Sequence, residues 1–118
     1  MLPWGCLASA NLRHQRRGGR AHGFAYKAAL QAIHLHALNQ IRGERPRFPH
    51  GAVEVHYVVV PPDARRRDCQ NLFKATEDAL NNVAWTDDSQ ICRGSWRRLA
   101  PDRANPRLEV EITGDAVA

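Results

Sequence analysis

GAVEVHYVVVPP, residues 51–62, sets the frame in which the rest of the chain is read. Val53, Val55, Tyr57 and Val59 alternate with Glu54, His56 and Val58, the two-residue period of a strand with one strongly apolar face. Towards Val60 both faces become apolar, as in a strand covered on two sides. Pro61 and Pro62 have no amide hydrogen to give a ladder, so the strand ends there. The period then changes. Leu72, Thr76, Ala79, Leu80 and Val83 recur at helical spacing, which predicts a helix starting between Asp68 and Asn71 and running to about Asn82. A strand that leads through a turn into a helix puts the first helical residues at the carboxyl end of the sheet, where sites gather.

Working outward, Tyr26, Leu30, Ile33, Ala37 and Ile41 predict a second helix over 24–41, with Gly43 as its stop. His34 and His36 are two apart and point away from each other on a helix, so they are boundary residues rather than a shared metal site. Leu2–Trp4 reads as a short edge strand, and residues 5–23 as a flexible basic arm carrying Arg13, Arg16, Arg17 and Arg20 among glycines. On the carboxyl side, Gln90–Leu99 is a weaker strand anchored by Ile91 and Trp96. Residues 107–113, RLEVEIT, give a clean alternation. The expected fold is α+β: one domain over residues 1–118, with two main helices packed on a small mixed sheet whose last two strands form a hairpin. A crossover from the Val53 strand through the helix to the Ile91 strand is expected to bring Asp68 and Asp88 to one end of the sheet.

Seventeen basic side chains against twelve acidic ones favour a polyanionic partner, because neutralising phosphates releases counterions. Fifteen of the seventeen are arginine, a choice that GC-rich coding explains; the net positive balance is not explained that way. Cys6, Cys69 and Cys92 are odd in number and form no C-x-x-C pair, which excludes a disulfide framework and a zinc knuckle and fits a reducing cytoplasm. No stretch approaches the roughly 20 apolar residues that span a bilayer, so no membrane partner is expected.

The chemistry concentrates in residues 65–88, RRRDCQNLFKATEDALNNVAWTDD. Phosphodiester hydrolysis calls for an activated water and for positive charge at the phosphate, and a hard cation held by carboxylates supplies both. Asp68 and Asp88 are candidate metal ligands, with Asp87 beside them. Lys74 is a candidate fixed charge for the phosphate, and Arg65, Arg66 and Arg67 are candidate DNA anchors. Each has a plain structural alternative: Asp68 as a helix N-cap, Lys74 as the ion-pair partner of Asp78, and Asp87–Asp88 as a polar turn.

RRRDCQNLFKATEDALNN followed by WTDDSQI resembles the signature of the RusA-type Holliday junction resolvases, in which an R-R-D-x-D-N-x-x-K segment opens a helix and a W-x-D-D-[SA]-Q segment follows. MLPW with its basic arm and the final LEVEI strand are similar to the family's two ends, so the resemblance spans nearly the whole chain. It implies a homodimeric endonuclease that uses Mg²⁺, with Mn²⁺ as the alternative ion, and no organic cofactor. Its implied substrate is a four-way DNA junction, resolved by paired nicks in recombination and repair. Asp68, Asp88 and Asp87 would match the family's metal-site aspartates, and Lys74 its functional lysine. At the family's second aspartate this chain has Gln70. The amide oxygen can still meet a cation, but one negative charge is gone. The alternative function is therefore a catalytically weak or inactive junction-binding protein of the same fold.

Overall fold

The alternating residues of 53–60 become β2 (Val53–Val60), an inner strand of a four-stranded sheet. The computed structural model describes residues 1–5, 20–66 and 69–114, the side chains of 20–25 excepted. Val53, Val55, Tyr57 and Val59 are buried beneath the helices, while Glu54, His56 and Val58 on the other face are only partly covered. The helices thus lie on one side of the sheet, as the one-sided alternation requires.

The first of two long helices among the described residues, α1 (Arg20–Gln40), buries Ala29, Ile33 and Ala37, three residues at four-residue spacing. Gly43 follows at φ +91°, a left-handed conformation that suits glycine beyond a helix end. The second, α2 (Cys69–Ala79), buries Leu72, Phe73, Ala75, Thr76 and Ala79. Thr76 sits in this apolar stripe without an unmet hydroxyl, because Oγ1 donates to the Leu72 carbonyl at 2.7 Å. Asn82 then takes φ +67° and turns the chain. Leu80, Val83, Ala84 and Trp85 continue the core past the helix, and the fully buried Trp85 indole donates to Asn81 Oδ1 at 3.0 Å.

The sheet order is β1-β4-β2-β3, with β1 (Leu2–Pro3), β3 (Ile91–Arg98) and β4 (Arg107–Gly114). β3 runs parallel to β2, and β4 runs antiparallel to β2 along eight paired positions. The mixed sheet with two helices agrees with the sequence expectation; the hairpin does not. β3 and β4 lie on opposite sides of β2 because the chain leaving β3 crosses over the carboxyl end of β2. Leu99 N–H donates to the Val59 carbonyl at 2.9 Å and Asp102 N–H to the Pro61 carbonyl at 2.9 Å, pinning that crossing.

Of residues 5–23, expected to form a flexible basic arm, 6–19 lie outside the described residues. Trp4 and Gly5 are helical, and residues 20–23 already belong to α1. Arg13, Arg16 and Arg17 lie outside the described residues, and Arg20 is placed only by its backbone at the start of α1. Trp96, expected to anchor its strand in the core, is 46% exposed because β3 is an edge strand. Among the described residues no helix is long and apolar enough to cross a membrane.

Candidate functional site

Gln70, Lys74 and Asp78 lie four residues apart along α2, on the side away from its buried stripe. Lys74 Nζ donates to Asp78 Oδ1 at 3.2 Å, and the lysine side chain remains 56% exposed. Tyr26 on α1 donates its hydroxyl to the other oxygen, Asp78 Oδ2, at 2.8 Å. Asp78 thus fixes a charge-bearing stripe of α2 against α1 and leaves the ammonium open to solvent. The two candidates Gln70 and Lys74 are brought one helical turn apart.

Arg65 and Arg66 are exposed in the segment between β2 and α2. The Arg65 amide donates to Asp63 Oδ1 at 3.0 Å, and Arg98 Nη2, at the end of β3, donates to the Arg65 carbonyl at 2.9 Å. These contacts hold the segment at the carboxyl end of the β2–β3 pair. Arg67 and Asp68 lie outside the described residues.

Asp87 and Asp88 open a single 3₁₀ turn (Asp88–Gln90) just ahead of β3. Asp87 caps it, Oδ2 accepting from Ser89 N–H at 3.1 Å. Hydrogen bonds from Ser89, its side chain first and its backbone second, hold the Asp87 carboxyl below the ordinary aspartate range. The residue that fixes this turn is Gln90, which was not among the candidate site residues. Its Oε1 accepts from Thr86 N–H at 2.9 Å and Asp87 N–H at 3.2 Å; its Nε2 donates to the carbonyls of Phe48 at 3.0 Å and Gly51 at 2.9 Å. One amide side chain therefore binds the acidic turn to the segment that enters β2. The signal was present as the glutamine of the D-D-S-Q segment, but nothing in spacing alone shows what it bonds. Asp88, half-buried, has a carboxylate with no hydrogen-bond or ion-pair partner among the described residues.

The expected convergence of the two ends of α2 is not what the topology produces. Val53 pairs with Ile91 and Val59 with Arg98, so β2 and β3 start at the same end. A helix between parallel strands returns the chain to that starting end, and the loop entering the helix and the loop leaving it lie at opposite ends of the sheet. Asp88 is therefore at the amino end of the ladder, and the Arg65 segment that leads to α2 is at its carboxyl end. Six residue steps at ~3.3 Å each separate these ends by roughly 20 Å. Among the described residues no group of three His, Cys, Asp or Glu side chains is placed to hold a metal ion.

The donor types nevertheless suit a hard divalent cation, which takes oxygen from carboxylates, amide carbonyls and water. Asp87 and Asp88 provide two carboxylates at one end, and Gln70 an amide oxygen near the other. Among the described residues these donors do not gather at one place.

The endodeoxyribonuclease RusA family model matches residues 3–113, which include α1, β2, α2, β3 and nearly all of β4. The chain belongs to the RusA family. Among its relatives, the crossover junction endodeoxyribonuclease RusA of Escherichia coli K12 is 34% identical over 117 residues, covering 95% of this chain and 90% of that protein. The protein of the same name from Shigella sonnei has the same identity and coverage, and that of Enterobacteria phage 82 is 33% identical over the same length. As a RusA-family member the chain is an endodeoxyribonuclease, an enzyme that hydrolyses phosphodiester bonds.

Proposed function

We propose that this RusA-family enzyme cuts four-way DNA junctions by paired nicks, as a homodimer in the cytoplasm, using Mg²⁺ or, in its place, Mn²⁺. The observation that carries the reading is the Asp88 carboxylate, unpartnered among the described residues, on a turn fixed by the four hydrogen bonds of the Gln90 side chain. An acidic group that is held in position and left unpaired is an arrangement suited to a cation. The names of the relatives at 34% identity supply the substrate class.

In this reading Asp68 and Asp88 hold the cation, with Asp87 and the Gln70 amide oxygen as further oxygen donors. When bound, the ion supplies an acidified water and screens the phosphate oxygens. Lys74 leaves Asp78 to meet the charge that develops on the reacting phosphate. Exchanging one exposed anion for another costs the lysine little, because a solvated ion pair contributes only about 0–1 kcal/mol. Arg65, Arg66 and Arg67, with Arg13, Arg16, Arg17 and Arg20 from the amino-terminal region, position the DNA backbone by guanidinium–phosphate contacts. The protein acts as one domain over 1–118, and a two-fold dimer matches a substrate with two phosphates to cut.

A second reading, junction binding with weak or no cutting, is favoured by one specific feature: Gln70 carries no charge where the RusA signature has an aspartate. Nicking of a labelled mobile junction across Mg²⁺ and Mn²⁺ titrations, with Gln70→Asp alongside, tests the two against each other. Cutting by the native chain supports the enzyme, and a gel shift that persists in EDTA without nicks in either ion supports the binder.

A further inference from the structure

β4 has eight residues and β1 only two, so the outer edge of β4 is paired at Arg107 and Leu108 and, among the described residues, nowhere beyond. Met1, next in line, is held by α1 instead: Gln40 Nε2 donates to its carbonyl at 2.6 Å, and Gln40 Oε1 accepts from its amino group at 2.5 Å. From Glu109 to Thr113 the edge is therefore open. It is also regular, since β4 pairs with β2 through eight successive positions without a bulge, and it carries neither proline nor lysine. Those are the usual devices that keep other chains away from an edge.

A cavity of about 490 Å³ runs beside this edge, within the size range of ligand-binding clefts. Val110 and Ile112, which pair with Tyr57 and Val55, face the helix side of the sheet and are only partly buried, because the cavity lies over them. Leu2, Ile41, Phe48 and Leu80 add apolar lining, and the charged side chains of the lining are Arg42 and Arg47, both cationic. The opposite face of β4 carries acid, with Glu109 and Glu111 alternating with the two apolar residues. Glu109 accepts from Arg107 Nε at 2.8 Å, whereas Glu111 is exposed and has no hydrogen-bond or ion-pair partner among the described residues.

We propose that β4 receives an extended segment of a partner protein as a fifth strand, antiparallel to β4 and in line with β1, with the side-chain order apolar, basic, apolar. The main chain of the segment meets the open amides and carbonyls of β4. Its apolar or aromatic side chains stand opposite Val110 and Ile112 and fill the cavity, and its lysine or arginine stands opposite Glu111. Both faces fix this order. A basic side chain turned inward would meet Arg42 and Arg47, and an acidic one turned outward would meet Glu111. A slip of one residue makes the first of these errors. The same acids exclude other occupants: a nucleic-acid strand would set its phosphates against Glu109 and Glu111, and a second β4 would set those glutamates against one another. The site lies apart from the residues to which junction cutting is assigned, and the proposal does not depend on that activity.

The test uses two capped, fluorescein-labelled peptides of one composition, titrated against the full chain by fluorescence anisotropy. STVKFTS places its valine and phenylalanine on one face of a strand and its lysine on the other, whereas SVTKTFS places all three on one face. The first should bind at least about tenfold more tightly than the second, because no register of the second fills the cavity while keeping the lysine out of it. Bound STVKFTS should also slow hydrogen exchange of the backbone amides of residues 109–113, the mark of an added strand. Equal binding of the two peptides, or no binding of either at millimolar concentration, overturns the proposal. Binding that adds no protection along β4 places the peptide elsewhere and overturns it as well.

A charge exchange checks the register. Glu111→Lys, at an exposed position, should weaken STVKFTS about fivefold and strengthen its glutamate counterpart STVEFTS by a similar factor. A change in folding alone would weaken both. A folded Glu111→Lys protein that treats the two peptides as the native chain does overturns the pairing of the basic residue with Glu111.

Discussion

Val53 and Ile91 are parallel neighbours at the amino ends of β2 and β3, and their pairing places Asp88 at the opposite end of the sheet from the segment that enters α2. Everything at the Asp88 end depends on how firmly its turn is held.

Gln90 does that holding. Replacing it with alanine removes two accepted and two donated hydrogen bonds at a partly exposed position, for an expected loss of about 1–3 kcal/mol in urea denaturation. Because the Asp88 turn is then released, Mn²⁺ affinity should fall by more than the stability change alone explains. An affinity that stays native in a folded Gln90→Ala protein would separate the turn from the metal site.

Lys74 is expected to matter for chemistry and not for folding. Its pair with Asp78 is solvated, so Lys74→Ala should change stability by no more than about 0.5 kcal/mol. Junction nicking should fall on the order of a hundredfold, with partial recovery in Lys74→Arg. Thermal melts and initial nicking rates on the same preparations check both halves of this prediction. A large stability loss with little change in rate would reduce Lys74 to the structural partner of Asp78.

Phe73 links β2 to the edge strand by packing against both Tyr57 and Trp96, and it is buried. Phe73→Ala should cost about 3–5 kcal/mol, enough to unfold a marginally stable domain, whereas Phe73→Leu, which keeps most of the apolar volume, should avoid most of that loss. Chemical denaturation of the two variants distinguishes a packing role from a site role.

Tyr57 gives a pH signature. Burial, and then its hydrogen bond and charge interaction with Glu77, push its pKa far above the ordinary tyrosine value of 10.0. The hydroxyl donates to Glu77 Oε2 at 2.7 Å. Between the unfolded and folded values the native state holds a proton that the unfolded chain has lost, so this contribution to stability is intact below pH 10 and falls as the pH rises above it. Absorbance of tyrosinate from Tyr57 should therefore appear only together with alkaline unfolding, and Tyr57→Phe should remove the coupling. Ionisation of Tyr57 in the native state would contradict this.

Much of the fold is legible from one-dimensional pattern. The alternation at 53–60 and 107–113 and the stripe Leu72-Thr76-Ala79 each state a local period, and local periods survive into the structure. The position of β4 is not legible in this way. Neighbours in sequence suggest a hairpin, but the crossing is decided by backbone bonds from Leu99 and Asp102 to Val59 and Pro61, which no side-chain pattern records. Trp96 misleads for a related reason: an aromatic in a strand reads as core, and only strand order shows that it lies on an edge. In the candidate site, the residue types Asp, Gln and Lys, to which the proposed chemistry is assigned, can be read directly. Their distribution over two ends of the sheet follows from the direction of β3, which the sequence does not state.

The proposed enzyme cuts four-way junctions through a site that includes Asp88. The most direct measurement incubates the purified protein with a labelled mobile junction and Mg²⁺, beside Asp88→Asn. Symmetric paired nicks are expected from the native chain and none from the variant, with both proteins still retarding the junction in a gel. Nicks of equal yield from Asp88→Asn, or a native protein that binds the junction and never cuts it in Mg²⁺ or Mn²⁺, would contradict it.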